Sequence, residues 1–335
     1  MLARVAENVY WLARYLERAE NTARLISVNT NLLLDLPAGY APGWEPLVDI
    51  SGGRELFAQQ QKRPTEREIV HFLIADQDNP GSIYSSLRSA RENARSLRDS
   101  FPAEAWELLN QFFLDLAEDF AAGLNKRNRF DFLKRIVLSL QTLTGSLEGT
   151  LNRNDAYTFL MLGRNLERAD MTSRIVDVRA AQLPAETAEL RPFDSLQWMS
   201  VLKSLSGYQM YRLARRTRIS RGDVLEFALR DAQFPRACLF CLQQVVFALR
   251  ALPRSEQVLK TLGDVCVFLE DADLAALDQA GLHQLTDHLQ IHIIRVHDDI
   301  AGIYFPGHVA PTADRGRMVA KAERVPISPE AACVT

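Results

Sequence analysis

Two stretches of nine residues carry the same pattern of charges 150 positions apart, and they hold the side chains best suited to chemistry. The first is LERAENTAR at 16–24, and the second is LERADMTSR at 166–174. Arginine guanidiniums bind carboxylate and phosphate groups through paired hydrogen bonds, and neighbouring glutamates can hold them in position. The pattern predicts an anion-binding or docking site formed by Arg14, Glu17, Arg18, Glu20, Arg24, Arg164, Glu167, Arg168, Asp170 and Arg174.

Arg18 and its counterpart Arg168 stand out because their own helix offers them no acidic partner. Side chains three and four positions apart meet on a helix surface. At those positions Arg18 has Arg14 and three uncharged residues, and Arg168 has Arg164 and three uncharged residues. Glu20 and Arg24, by contrast, are four apart in the favourable order. We therefore expect a group outside the helix to neutralise Arg18 and Arg168.

Four interpretations of the charged stretches remain open. A solvated helix face is the usual fate of such a stripe, although its recurrence in two copies weakens this interpretation. A partly buried ion-pair network could fix how two segments dock. An anion pocket would use Arg18 and Arg168 as first contacts, and an enzyme acting on a peptide or nucleotide-linked carboxylate would place its active site there. A further charged stretch could add a wall to the site: Arg91, Glu92, Asn93 and Arg95.

The spacing of apolar residues is helical almost throughout, which predicts an all-α fold. Residues 3–34 read as one long amphipathic helix with Leu12, Leu16 and Ile26 on its apolar side. Ser82 is the expected N-cap of a later helix. Further helices are predicted at 66–75, 82–99, 103–122, 129–150, 154–182, 194–217, 222–230, 235–250, 255–269 and 282–303.

The repeat extends beyond the two charged stretches and predicts a tandem duplication. Residues 14–24 and 164–174 are identical at seven of eleven positions. Residues 44–52, which we interpret as a loop carrying a tryptophan, resemble 198–207 with one inserted residue. Similar segments in the same order indicate a helical bundle of two homologous halves packed as one unit. The halves are 1–150 and 151–305, and 306–335 reads as a mobile tail.

Composition narrows the possible functions. The formal net charge of −3 argues against a nucleic-acid partner. No run of 18 apolar residues is present, so we expect no membrane span and no membrane partner. Four cysteines are too few for a disulfide framework and suit a reducing cytoplasm, where we expect the protein to reside.

Other clusters favour packing over chemistry. Glu17-x-x-Glu20 lacks the histidine of a dimetal bundle and lies among arginines, so no metal is predicted there. Cys238-x-x-Cys241 reads as part of a buried helix, and His288 with His292 are too few for a zinc site. The basic stretch 212–221 is typical of a solvated face. No cofactor is expected, because no phosphate-binding or dinucleotide motif occurs.

Several segments together resemble the bacterial alpha-E family, an alpha-helical domain with a Glu-Arg motif that was formerly a domain of unknown function. They are MLARVAENVYWLARYLERAENTARL, SIYSSLRSARENARSLRDSFPAEAWELLN, NRNDAYTFLMLGRNLERADMTSRIVDVR and the final GIYF at 302–305. The resemblance covers nearly the whole chain apart from the tail. It places the Glu-Arg motif at Glu17–Arg18 and Glu167–Arg168.

The resemblance implies a partner role in a larger system. Members of the family are typically encoded beside, or fused to, a circularly permuted ATP-grasp protein, and often lie near a transglutaminase-like peptidase. We therefore expect a non-catalytic accessory or partner component of an ATP-grasp-linked peptide ligation or modification system. A purely structural interaction module is the remaining alternative.

Overall fold

The chain folds almost entirely into helices. The computed structural model describes residues 1–36, 43–98, 101–181, 191–216 and 218–305. No strand occurs within these ranges, so the predicted all-α class is confirmed. The helices are α1 (Ala3–Asp35), α2 (Glu45–Ile50), α3 (Arg54–Gln59), α4 (Glu66–Ile74), α5 (Ile83–Arg95), α6 (Ala103–Leu124), α7 (Arg129–Thr150), α8 (Asp155–Ala181), α9 (Arg191–Ser204), α10 (Tyr208–Arg215), α11 (Arg221–Leu225), α12 (Cys238–Leu249), α13 (Glu256–Asp271) and α14 (Gln279–Tyr304).

The two helices that carry the charged repeat form the centre of the molecule. α1 packs against α5, α7 and α8, while α8 packs against α12, α14 and α1. The apolar stripe predicted on α1 is buried, with Leu12, Leu16 and Ile26 at most 7% exposed. Because other helices cover α1 on several sides, polar side chains in its middle, such as Arg14, Glu17 and Arg18, are buried as well.

The structure corrects two predicted elements. The single helix predicted at 194–217 is interrupted: α9 ends at Ser204 and α10 begins at Tyr208, because Ser206 between them adopts a left-handed conformation (φ 56°). The segment interpreted as a loop with a tryptophan contains α2, which begins directly after Trp44. α2 ends at a similar turn, where Gly52 has φ 69°. An isolated six-residue helix carries too little apolar periodicity to distinguish it from a loop.

The two turns also make equivalent contacts with a phenylalanine. A Cβ added to Gly53 would lie 2.7 Å from the Phe72 ring, and one added to Gly207 would lie 3.0 Å from the Phe227 ring. When these glycines are aligned, residues 44–53 and 198–207 have the same length, and the inserted residue assumed from the sequence is not needed. The tandem origin of the halves 1–150 and 151–305 stays a prediction.

Local features elsewhere follow the sequence. Ser82 caps α5, as predicted, by accepting a hydrogen bond from the backbone N–H of Ser85 at 3.1 Å. α11 continues into a π-helical turn at Glu226–Arg230. No helix in the described part of the chain combines the length and apolarity needed to cross a membrane. The predicted tail, 306–335, lies outside the described residues.

Candidate functional site

The motif helices α1 and α8 lie side by side and run in the same direction. Ion pairs and hydrogen bonds join Met1 to Asp155 near their beginnings and Asn29 to Arg179 near their ends. The two helices approach each other closely at Gly163, where an added Cβ would lie 2.2 Å from the carbonyl oxygen of Tyr10. A glycine is therefore required at the crossing, since any larger residue would push the backbones apart.

The Glu-Arg motifs of the two helices pair with each other. Glu167 accepts two hydrogen bonds from Arg18, from Nε at 2.6 Å and from Nη2 at 3.1 Å. In the reciprocal pair, Nε of Arg168 lies 2.9 Å from Oε2 of Glu17. The opposite motif is thus the external group that neutralises each arginine. Glu17 and Arg18 are 4% and 5% exposed, so the stripe is not a solvated face.

The first arginine of each motif has a different partner. Arg14 donates from Nε to Oε2 of Glu167 at 2.7 Å, so Glu167 binds two guanidiniums. Arg164, its counterpart, donates instead to Glu148 on α7 at 2.7 Å. Glu148 also accepts a hydrogen bond from the Tyr157 hydroxyl at 2.8 Å. The halves therefore differ at this position.

The remaining motif residues pair within their own helices. Arg24 donates to Glu20 from Nη2 at 2.7 Å, which confirms the predicted contact four residues apart. Arg174 donates to Asp170 from Nε at 2.9 Å. These pairs lie at corresponding positions and are covered by the surrounding helices.

Arg236, which lies just before α12, completes the network. No pattern in the sequence indicates that it belongs there. Its Nη1 donates to Glu17 at 2.6 Å and to Asn21 at 2.7 Å, and its Nη2 donates to Glu20 at 3.0 Å. Residues 68–80 resemble 223–235, and when Pro80 is aligned with Pro235, Gly81 stands at the position of Arg236. An arginine outside the repeated pattern gives no signal, because its partners lie more than 200 residues away.

The network lowers the pKa values of Glu17, Glu167 and Asp170. Burial alone would raise the pKa of Glu167, but the charges of Arg18 and Arg14 and their hydrogen bonds hold that pKa far below its usual range. Burial likewise opposes ionisation of Glu17, and Arg168 and Arg236 outweigh it and lower the pKa. Asp170 follows the same pattern, with Arg174 as the nearest cation. Glu17 and Glu167 therefore carry full negative charge at neutral pH.

A buried histidine extends the network at one end. The Tyr10 hydroxyl lies 2.8 Å from Nδ1 of His297, and Arg14 Nη1 donates to the same hydroxyl at 3.3 Å. The Tyr10 and His297 rings stack with centroids 5.6 Å apart. His297 gives no functional signal in the sequence, because it lies on the apolar stripe of α14, four residues after Ile293 and three before Ile300.

The contact between the Glu-Arg motifs of α1 and α8 is called the seam below. The cysteines near the seam are buried, as the sequence predicts. Cys238 and Cys241 lie on α12 and are fully buried. Burial raises the pKa of the Cys241 thiol to about 12, and burial raises that of Cys238 well above its usual range. A thiol needs its thiolate form to act as a nucleophile, so both side chains serve packing.

The structure does not bring the charged groups of the proposed additional wall to the seam. Arg91 donates to Asn110 on α6 at 2.8 Å and lies over the Phe113 ring. Arg95 pairs with Glu92 on its own helix, and Asn93 is partly buried beside them. Residues 91, 92 and 95 thus contribute to the α5–α6 surface.

The match to known proteins covers the whole described fold. The model of the Alpha-E family, described as a predicted alpha-helical domain with a conserved ER motif, matches residues 1–305. Uncharacterized proteins of Mycobacterium bovis and Mycobacterium tuberculosis are 22% identical to this chain over 273 residues. The match covers 75% of this chain but 30% of those relatives, which are therefore much longer. No solved structure matches the chain.

Proposed function

The chain belongs to the Alpha-E family, and we propose that it is a non-catalytic partner component of an ATP-grasp-linked peptide ligation or modification system. The observation that carries this proposal is the length of the relatives. The matched region makes up 30% of them, so it is joined there to other regions of the same chain. A helical unit that is joined to other regions in its relatives suits a partner role in a larger system.

The geometry of the seam favours an internal lock over an active site. Arg18 pairs with Glu167 and Arg168 pairs with Glu17, and both carboxylates have pKa values below their usual range. A general base at neutral pH works best with a pKa near 7, which these two groups do not have. The seam therefore fixes the packing of α1 against α8, and we place the binding surface for a protein partner elsewhere.

A groove between α6 and α7 is the surface we assign to the partner. It encloses about 660 Å³ and has an apolar floor that includes Leu109 and Leu143. Leu108 and Leu138 on its walls are 42% and 53% exposed. Exposed leucines on facing helices form the kind of groove that accepts the apolar side of an amphipathic helix.

The charges around the groove specify the occupant. Glu104, Glu107 and Asp115 line it along α6, while Arg135 is paired with Asp119 at 2.7 Å. The rim therefore carries a surplus of negative charge. We assign the groove to an amphipathic helix of the ATP-grasp partner whose apolar stripe is flanked by lysine or arginine.

The test measures binding between the full chain and an ATP-grasp protein encoded beside it. Titration calorimetry should show a complex whose affinity falls at least about tenfold in Leu108→Asp, because a buried apolar anchor is lost. Leu114→Asp is the matched control: it lies on the same helix, is 46% exposed and is outside the groove lining. Absence of a complex contradicts the partner role. If both variants weaken binding equally, the assignment of the groove to the partner is contradicted.

A second candidate is binding of a small anion at the seam, which its charge balance favours. Seven arginines and five carboxylates form the described network, an excess of two positive charges. The most exposed arginine side chains of the network are those of Arg24 and Arg168, both at 16%. A phosphate-dependent rise in melting temperature that Arg168→Gln removes would support this candidate.

A further inference from the structure

We propose that Asp177, His283 and Asp287 form a binding site for a divalent transition-metal ion such as Zn²⁺. The site joins the end of α8 to the beginning of α14. It is separate from the Glu-Arg network and from the α6–α7 groove, so it does not depend on the proposed function.

The geometry brings together one possible ligand atom from each residue. The three atoms lie within 4.8 Å of one another. His283 Nδ1 is 2.7 Å from Oδ1 of Asp177, and His283 Nε2 is 3.7 Å from Oδ2 of Asp287. His283 and Asp287 are four residues apart, which places them on one face of α14 opposite Asp177. Small rotations of these side chains would direct one oxygen of each carboxylate and one imidazole nitrogen at a shared ion.

The backbone around this site is held in place. The side chain of Asp278 caps α14 by accepting a hydrogen bond from Gly281 N–H at 2.7 Å. Gln279 Nε2 donates to the carbonyl oxygen of Ala181 at 3.0 Å, which ties the start of α14 to the end of α8. Leu282 and Leu285 are buried beneath this turn. Ligands on two packed helices lose little freedom when an ion binds.

Exposure provides the entry path. The side chain of His283 is 61% exposed and that of Asp287 is 27% exposed, whereas the Asp177 side chain is only 11% exposed. An ion can approach from solvent and reach a carboxylate that is mostly shielded. The ion would also neutralise two acidic groups that face each other across a single imidazole.

The donor set selects the class of metal. Imidazole nitrogen suits zinc, copper, iron and nickel, whereas magnesium and calcium prefer oxygen ligands alone. One histidine and two carboxylates leave at least one position for water. The site belongs to the second half of the chain, because Ser27 stands at the position of α1 that corresponds to Asp177.

The test uses the untagged full chain after treatment with a chelator. Calorimetry with Zn²⁺ should show one ion per chain, and Co²⁺ should give visible absorption from a ligand field of low symmetry. His283→Ala and Asp177→Asn should each weaken binding at least about tenfold, the loss found even for outer-shell groups. Saturating Zn²⁺ should raise the melting temperature of the native protein and leave that of His283→Ala unchanged.

His288→Ala is the matched control, since His288 is an exposed histidine five residues along the same helix. It should retain the native affinity for Zn²⁺ and the Co²⁺ spectrum. The proposal is overturned if no stoichiometric binding occurs, if His283→Ala binds as tightly as the native chain, or if His288→Ala is the variant that loses the ion. Asp287→Asn gives an independent check should His283→Ala alter the fold.

Discussion

The two motif glutamates bind the same number of arginines but recruit them differently. Glu167 takes both from α1, from Arg14 and Arg18. Glu17 takes one from α8, Arg168, and the other from the segment before α12, Arg236. Both carboxylates are buried and bridged by two guanidiniums, although only one of them relies on the repeated motif alone.

The difference arises from two residues that lack counterparts. Glu148, two residues before the end of α7, binds Arg164. The residue two before the end of α14 is Gly302, which has no acidic side chain. Arg236 then supplies the second guanidinium for Glu17, at a position where the first half has Gly81. The extra acid and the extra base compensate each other. Two arginines for each motif glutamate is thus the feature that Glu17 and Glu167 share.

The largest expected effect comes from removing Glu167. Glu167→Ala leaves Arg14 and Arg18 buried without their shared counter-charge, which should lower the free energy of unfolding by about 3–5 kcal/mol. Urea denaturation measures it. Glu92→Ala, which breaks the exposed pair with Arg95, is the control and should cost at most about 1 kcal/mol. Equal costs would show that the seam is no more important than a surface pair.

Protonation should reproduce part of this loss. The pKa of Glu167 is lower in the folded chain than its ordinary value of 4.5, so the unfolded chain takes up the proton first. The stabilisation is fully present above the unfolded pKa and is lost as the pH falls toward the folded one. We expect the free energy of unfolding to decline below about pH 4.5. Glu167→Gln should flatten this decline, and an unchanged slope would assign it to other carboxylates.

The helix crossing should be nearly as sensitive as the ion pairs. Gly163→Ala places a methyl group against the Tyr10 carbonyl oxygen, so overpacking should cost about 3 kcal/mol. Gly145→Ala on α7 is the control, because its added Cβ meets nothing within 4 Å. It should stabilise the helix by up to about 1 kcal/mol. Thermal unfolding distinguishes the two, and a neutral Gly163→Ala would contradict the close approach.

The smallest effect tests the compensation between the halves. Arg236→Met should cost about 2 kcal/mol, because Glu17 and Glu20 each keep one other arginine. Adding Glu148→Gln releases Arg164, which can then turn toward Glu17. The double variant should therefore be more stable than the sum of the single changes predicts. Strict additivity, measured by denaturation, would mean that Arg164 does not replace Arg236.

The sequence predicts the regular parts of this molecule and the residues that the two motif helices contribute to its central network. Long helices such as α1 and α7 follow from apolar spacing. The recurrence of LERA marks the residues that meet at the seam. The missing partner of Arg18 correctly indicates an external group, but the pattern alone does not identify Glu167, since pairing between helices depends on their relative direction and register.

What the sequence analysis misses has physical reasons. Arg236 and Glu148 contribute through contacts that no local spacing encodes, and both break the repeat. His297 lies on an apolar stripe, where a histidine resembles any other packed residue. The turn at Ser206 depends on a left-handed conformation, and a serine in the sequence does not indicate that conformation. A single helix is therefore predicted there in place of α9 and α10.

A double-mutant cycle between Arg18 and Glu167 tests most directly the claim that the motifs neutralise each other. The free energies of unfolding of Arg18→Met, Glu167→Gln and the double variant are compared with that of the native chain. A direct buried pair predicts a coupling energy of about 2 kcal/mol, with the double variant far less damaged than the sum of the single ones. Additivity within about 0.5 kcal/mol would contradict the pairing.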